Sequence, residues 1–304
     1  MNWLLIYLKG IAMGSADVVP GVSGGTIAFI TGIYDRLLGA ISGVNGTSLK
    51  LLFRGKIKEF LKAIDYKFLI VLLAGIGTAV VSLAKMITFL LKHHEVALWS
   101  FFFGLIVASS ILVIRHIKKW NAIAVISLIL GIAIAWYLTS MQQIHLADNL
   151  PGDFIAGFVA IVAMILPGIS GSYILVMLGK YEHILGMISN FDSSNLPSLA
   201  VFAIGCLSGL LVFARILKWL LEKYHDVVVA ALCGFMIGSL NKVWPWKITL
   251  ETYMDRHGEV KPLLQENITP PAIDSSFFAA LGLAVFGLVL VLLLEKLGKR
   301  LQKA

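Results

Sequence analysis

Charge is scarce in this sequence. Only 14% of the 304 residues are Asp, Glu, Lys or Arg, where a soluble domain carries about 25%. Hydrophobic residues reach 59% and the mean hydropathy is +0.90. A large soluble core does not account for those values; an all-α polytopic integral membrane protein does. Apolar runs such as 68–91 and 277–294 are long enough to cross a bilayer, which takes about 20 residues. Cysteine is nearly absent. Cys206 and Cys233 both lie in apolar segments, so there is no disulfide framework and no metal-ligand spacing. The seven histidines are scattered, without an HxxxH pair, and His93 and His94 sit at an expected helix end. No metal, no cofactor and no catalytic residue is expected. The formal charge of +8 would suggest nucleic acid in a soluble chain. Here the basic residues flank apolar runs, so no nucleic-acid partner is expected and the charge reads as membrane topology. The opening MNWLLIYLKGIAMGSAD lacks a basic stretch ahead of its apolar run, and Lys9 splits that run, so it is expected to be retained rather than cleaved.

What the sequence does have is a repeat. PGVSGG at 20–25 returns as PGISGS at 167–172. At an offset of 147 the identities extend without a gap through Ile27/Ile174, Gly32/Gly179, Tyr34/Tyr181, Leu38/Leu185, Gly39/Gly186, Ile41/Ile188 and Ser42/Ser189, and Gly10 falls opposite Gly157. Farther on, an offset of 130 pairs Gly75 with Gly205, Lys85 with Arg215 and Gly104 with Gly234. The expected organisation is a first repeat over 1–150 and a second over 151–304. Each holds a broken-helix hairpin (about 2–42 and 152–189) and three spans. The spans are expected at 67–91, 95–114 and 121–140, then at 198–221, 226–242 and 276–295. The arm at 2–16 is about 22 Å long at 1.5 Å per residue, short of the hydrocarbon core of about 30 Å, so each hairpin is re-entrant. A hairpin returns to its own side and three spans do not, so the two repeats have inverted topology, a common transporter arrangement.

The charges agree with this topology. With the N- and C-termini cytoplasmic, Lys50, Arg54, Lys56, Lys58, Lys62, Lys67, Arg115, Lys118, Lys119, Lys218, Lys223, Lys296, Lys299, Arg300 and Lys303 all face inward, and the outer loops at 141–153 and 190–198 contain no Lys or Arg. The outer loop at about 243–275 holds Lys247, Arg256 and Lys261 accompanied by acids, interfacial Trp244 and Trp246, and DRHGE at 255–259, which reads as a hairpin turn. Residues 48–64 place basic groups at 50, 54, 58 and 62, four apart, beside apolar ones. That pattern suits an amphipathic helix on anionic lipid, or equally a linker that fixes topology.

Proline and glycine free the backbone at each break, and Ser23 and Ser170 are good N-caps for the helices that follow. Non-helical backbone at membrane depth survives only inside protein or beside a wet cavity, so the two breaks are expected to face each other. Each exposed helix N-terminus then offers free N–H groups and partial positive charge, which favours a phosphate or carboxylate. The candidate phosphate-binding residues are Gly21, Ser23, Gly24, Gly25, Gly168, Ser170, Gly171 and Ser172, joined by the equivalent intramembrane cations Lys85 and Arg215. Lys85 lies toward the outer side and Arg215 toward the inner, where one could receive a head group from each leaflet. The bland alternatives are a packing kink and snorkelling side chains. Asp17, whose counterpart is Met164, is a candidate for carrying a proton or pairing with a cation such as Arg36. Asp35, Arg36 and Glu182, with His183, end the second arms as anchors or a gate.

The block MGSADVVPGVSGGTIAFITGIYDRLL at 13–38, echoed by LPGISGSYILVMLGKYEHIL at 166–185, resembles the bacterial polyprenyl-phosphate transporter family of the PopT type, and the resemblance covers essentially the whole chain. It implies a multi-pass protein of the bacterial plasma membrane that returns undecaprenyl phosphate to the inner leaflet, with a polyprenyl-phosphate lipid as partner. Two enzyme readings compete. PGVSGG is similar to the PG-x-SRS motif of membrane undecaprenyl-pyrophosphate phosphatases, but Gly24 stands where that motif has arginine and no paired glutamates accompany it. Gly21–Val22–Ser23–Gly24 also matches the G-x-S-G of intramembrane serine proteases, yet no histidine lies mid-span to activate the serine. A small-anion transporter would use the same helix ends. The sequence sets neither the coupling ion nor the oligomeric state.

Overall fold

Polar caps punctuate an otherwise apolar chain. A computed structural model describes residues 2–18, 22–141, 143–189, 192–254 and 260–303. Helix α1 (Trp3–Asp17) starts at Asn2, whose side chain accepts the Leu5 N–H. After the first break come α2 (Gly24–Ile30) and α3 (Tyr34–Ser42). Two short helices follow, α4 (Gly46–Phe53) and α5 (Ile57–Ala63). Then come α6 (Tyr66–His93), α7 (Glu95–Ile114) and α8 (Ala122–Ser140). The second half runs α9 (Leu150–Ile165), α10 (Gly171–Met177), α11 (Tyr181–Ser189), α12 (Leu196–Lys223) and α13 (His225–Ser239), and closes with α14 (Ser275–Lys303). The chain is a mostly helical polytopic membrane protein.

Three expectations need correction. The second arm of each hairpin is two helices, not one: Gly32 (φ +71°) and Gly179 (φ +68°) take left-handed backbone that ends α2 and α10. The single amphipathic helix at 48–64 is likewise divided into α4 and α5 at Gly55 (φ +71°). Of the six spans, five are long enough to cross a membrane; α13, with 15 residues, stops at Ser239 rather than 242. The all-α description also lacked one element. Between α13 and α14 lies an antiparallel hairpin of β1 (Lys247–Met254) and β2 (Val260–Asn267), with Lys247 opposite Asn267 and a register shift around Glu251. The turn expected at 255–259 lies outside the described residues.

Helices pair through glycine. Helix α1 packs on α6 and α9 on α12; α7 packs on α14 and α8 on α13. A Cβ on Gly10 would strike the Leu72 carbonyl and one on Gly75 the Tyr7 carbonyl; at the matching positions Gly157 faces the Phe202 carbonyl and Gly205 the Phe154 carbonyl. Gly104 against Ala284 repeats in Gly234 against Leu128. Without a hydrophobic drive between helices in lipid, such close backbone approach supplies the contact. Helix α7 is central, with 67% of its apolar window buried against 17% for α8 and α14. Ile70, Leu73, Val81, Ile126, Ile129 and Phe286 on the outer helices face outward, as lipid-facing residues must.

Candidate functional site

Both breaks lie at the centre of the molecule and touch. Val22 and Ser23 are buried, as are Gly24, Gly25 and Thr26; Pro20 and Gly21 lie outside the described residues. The hydroxyl of Ser23 accepts the Gly25 N–H at 3.1 Å, the expected cap, and donates across the break to the Leu166 carbonyl at 3.1 Å, with the Met164 carbonyl at 3.3 Å. Thr26 Oγ1 accepts the Gly168 N–H at 3.0 Å, and Tyr34 donates to the Ile165 carbonyl at 2.9 Å. Three hydroxyls of the first hairpin thus satisfy backbone groups of the second break, which a membrane interior would otherwise leave unpaired. The close approach needs small residues. A Cβ on Gly25 would lie 2.7 Å from the Ile165 carbonyl, and one on Gly168 (φ +93°) 2.9 Å from Met236 Cα on α13.

The two helix ends differ in charge. Asp17 Oδ1 accepts the Gly24 N–H at 2.7 Å, and a Cβ on Gly24 would fall 2.5 Å from Asp17 Oδ2. The N-terminus of α2 therefore already holds a carboxyl group, the protein's own. At α10 no such acid lies among the described residues: Met164 stands at the matching position and Ser170 makes no capping bond, pairing instead with Ser172 (Oγ···Oγ 2.8 Å). Gly171 is pressed against the Ala160 carbonyl at 2.7 Å.

The expected cations sit elsewhere. Lys85 is exposed on α6, and Arg215 is exposed on α12, where it donates to the Val44 carbonyl just beyond α3. Their described contacts include no residue of either break. Arg36 does not pair with Asp17. Its Nε lies 2.7 Å from Asp65 Oδ2 and its guanidinium 4.3 Å over the Phe68 ring. Asp35 and Glu182 open α3 and α11 rather than ending the second arms.

Two charged groups were missed. Lys180, fully buried, bridges Asp148 (2.8 Å) and Asp153 (3.0 Å), and His183 approaches both acids at 3.7 and 3.6 Å. The Lys180 ammonium holds the exposed Asp148 carboxyl below its usual range. Asp153 Oδ2 and His183 Nε2 are buried without a hydrogen-bond partner. The repeat alignment carried the signal, because Lys180 stands opposite Ile33 and Asp153 opposite Ile6. The other group is Lys242 and Lys247, set among Tyr173, Trp99 and Glu95 between α13 and β1.

Comparison with known proteins places the chain in a family. A family model described as undecaprenyl phosphate translocase-like matches residues 13–261. The chain belongs to that family. It is similar to a polyprenyl-phosphate transporter of Vibrio cholerae, 45% identical over 99% of this chain and 98% of the relative. A polyprenyl-phosphate transporter of Staphylococcus aureus is 34% identical over 80% of this chain and 87% of its own length. No solved structure matches. The match to the family model takes in both breaks, the helices that follow them and the two missed charge clusters.

Proposed function

We propose that the chain is a translocase that returns undecaprenyl phosphate, or a related polyprenyl phosphate, to the cytoplasmic leaflet of the bacterial plasma membrane. The observation that carries the reading is the meeting of two broken helices at the centre of an apolar bundle, in a chain similar along nearly its whole length to a polyprenyl-phosphate transporter. A phosphate head needs polar backbone at membrane depth, while a prenyl tail can stay in lipid and pass beside the protein.

In this reading residues 1–150 and 151–304 are inverted repeats, with the termini cytoplasmic. Its support is the recurrence of α1 on α6 as α9 on α12, at matching glycines. The phosphate engages the break residues Ser23, Gly24, Gly25, Gly168, Ser170, Gly171 and Ser172, together with Gly21. Asp17 occupies the α2 end in the absence of substrate and yields it when phosphate arrives, which gives that acid a coupling role. Lys85 and Arg215 draw head groups inward at the two faces. Asp35, Arg36 and Glu182 act where the arms turn, Arg36 locked to Asp65 until a gate opens. The basic face of α4 and α5 rests on anionic lipid: Lys50, Arg54, Lys58 and Lys62 are exposed beside Leu52, Phe53 and Ile57. In this reading the protein acts as a transporter and not an enzyme, with the Ser23 hydroxyl donating to a backbone carbonyl, that of Leu166, rather than to a side-chain base.

The test is reconstitution of the full chain in liposomes with labelled polyprenyl phosphate and a leaflet-specific probe, at two pH gradients. Protein-dependent movement of the label between leaflets is expected. Flux of small anions with no lipid movement would replace this reading with a small-anion transporter, and release of inorganic phosphate from polyprenyl pyrophosphate would replace it with a phosphatase.

A further inference from the structure

The end of α13 and the start of β1 bring two ammonium groups together. Lys242 Nζ sits 4.8 Å over the ring of Tyr173, on α10 three residues past Ser170. Lys247 Nζ sits 4.3 Å over the ring of Trp99, on α7, and donates to the Lys242 carbonyl at 2.5 Å. Neither lysine forms an ion pair with a carboxylate among the described residues. The nearby acid, Glu95, is engaged by Trp99 Nε1 at 3.2 Å. Burial pushes Lys247 down to about 7, the Lys242 charge pushes the same way, and Glu95 opposes both. Burial also lowers Lys242. Two cations beside one carboxylate leave a net positive charge in a half-buried place. A protein keeps such an arrangement at a cost, and an anion removes the cost.

The location gives the arrangement a use. Ser239, one turn before Lys242, lies against Gly168 of the second break, and Tyr173 belongs to the helix that the break opens. Trp244 packs on Phe103 and Trp246 on Phe277, an aromatic wall of the kind found where a chain enters an interface. A lysine is a compact, mobile point charge, suited to taking a phosphate and passing it on.

We infer that Lys242 and Lys247 form a receiving site for a phosphate monoester, one helical turn from the second break, on the face that carries the β hairpin. The identity of the ligand as a prenyl-phosphate head group rests on the translocase reading; the site itself does not. A phosphate monoester brings between one and two negative charges at neutral pH, enough to balance both ammonium groups.

Binding to the purified full chain tests this. The probes are farnesyl phosphate, inorganic phosphate and farnesol, titrated into wild type, Lys242→Met, Lys247→Met and the double Lys→Arg variant. The expected result is that either methionine variant weakens farnesyl phosphate binding at least about tenfold, the loss of one charged hydrogen bond, while the arginine variant retains it and farnesol binding does not change. The ligand-free methionine variants are expected to melt no lower than wild type, because relieving two repelling ammonium groups does not weaken the fold. Inorganic phosphate binding as tightly, with the same losses, keeps the site and makes free phosphate its ligand. Wild-type affinity in both methionine variants overturns the inference. So does lost binding in an arginine variant that melts like wild type. The liposome assay separates this from the translocase reading. A wild-type chain that binds farnesyl phosphate at these lysines but moves no lipid sinks the reading and keeps the site. Normal lipid movement with unaltered binding in the methionine variants sinks the site alone.

Discussion

The contact most open to a sharp test is Thr26 with Gly168. Thr26 is fully buried, and its Oγ1 receives the Gly168 N–H at 3.0 Å. Thr26→Val keeps the shape and removes the acceptor. A buried donor left unpaired costs about 1–3 kcal/mol. Interhelical hydrogen bonds inside membranes average less, about 0.6 kcal/mol, because the separated helices find other partners. Gly168 has little such freedom. It sits at φ +93°, and even a Cβ there would lie 2.9 Å from the Met236 Cα. The upper part of the range applies, so a loss of about 1–2 kcal/mol is expected. Reversible unfolding of the full chain in mixed micelles measures it. Thr26→Ser is the control: it keeps the acceptor and loses one methyl, worth about 0.8 kcal/mol. Tyr34→Phe frees the Ile165 carbonyl in the same segment, so the double variant is expected to show coupling of about 0.5 kcal/mol or more. Thr26→Val unfolding within about 0.3 kcal/mol of wild type, with Thr26→Ser the weaker protein, would refute the view that these hydroxyls hold the breaks together.

Three further outcomes follow from the same geometry. Lys180→Met strands the buried Asp153 carboxylate and is expected to cost about 3–5 kcal/mol in the same unfolding assay; adding Asp153→Asn should restore part of it. Gly104→Ala drives a methyl into the Ala284 carbonyl, so a loss of about 1–3 kcal/mol is expected, whereas Gly282→Ala, with open space at its Cβ, should be neutral or slightly stabilising by melting temperature. Lys247 holds its proton less tightly folded than unfolded, about 7 against 10.5. The unfolded chain therefore binds more protons between those values, and stability should rise with pH from about 7 toward 10.5; melting curves of Lys247→Met should lose that slope.

The breaks were legible in the sequence because proline, glycine and serine act locally, and two copies of one pattern at a fixed offset give each other context. Ser23 caps where expected, and the breaks do face each other. The finer divisions were harder. Gly32 and Gly179 were visible as shared positions, yet a single glycine within an apolar run does not reveal left-handed backbone. The four-residue spacing of Lys50, Arg54, Lys58 and Lys62 reads as one helix until Gly55 divides it. Lys180 and Asp153 are 27 residues apart and meet only because the hairpin folds back. Lys85 and Arg215 are exposed on α6 and α12, and position within a span does not by itself give that exposure. The acids that accompany Lys247 in sequence hid its isolation, because Glu251 and Glu266 are exposed on the strands while the lysine turns to Trp99.

Among the described residues the tethers between the breaks run one way. Ser23, Thr26 and Tyr34 give hydroxyls, and Ile165, Leu166 and Gly168 give peptide groups. At the position matching Thr26, Tyr173 reaches to the Leu138 and Thr139 carbonyls instead. Halves that spell nearly the same motif have thus become plug and socket. A chain assembled from two first halves would set hydroxyl against hydroxyl and leave peptide groups bare, and one assembled from two second halves would have nothing to hold them. Whatever duplication the shared motif records, neither half can now stand in for the other.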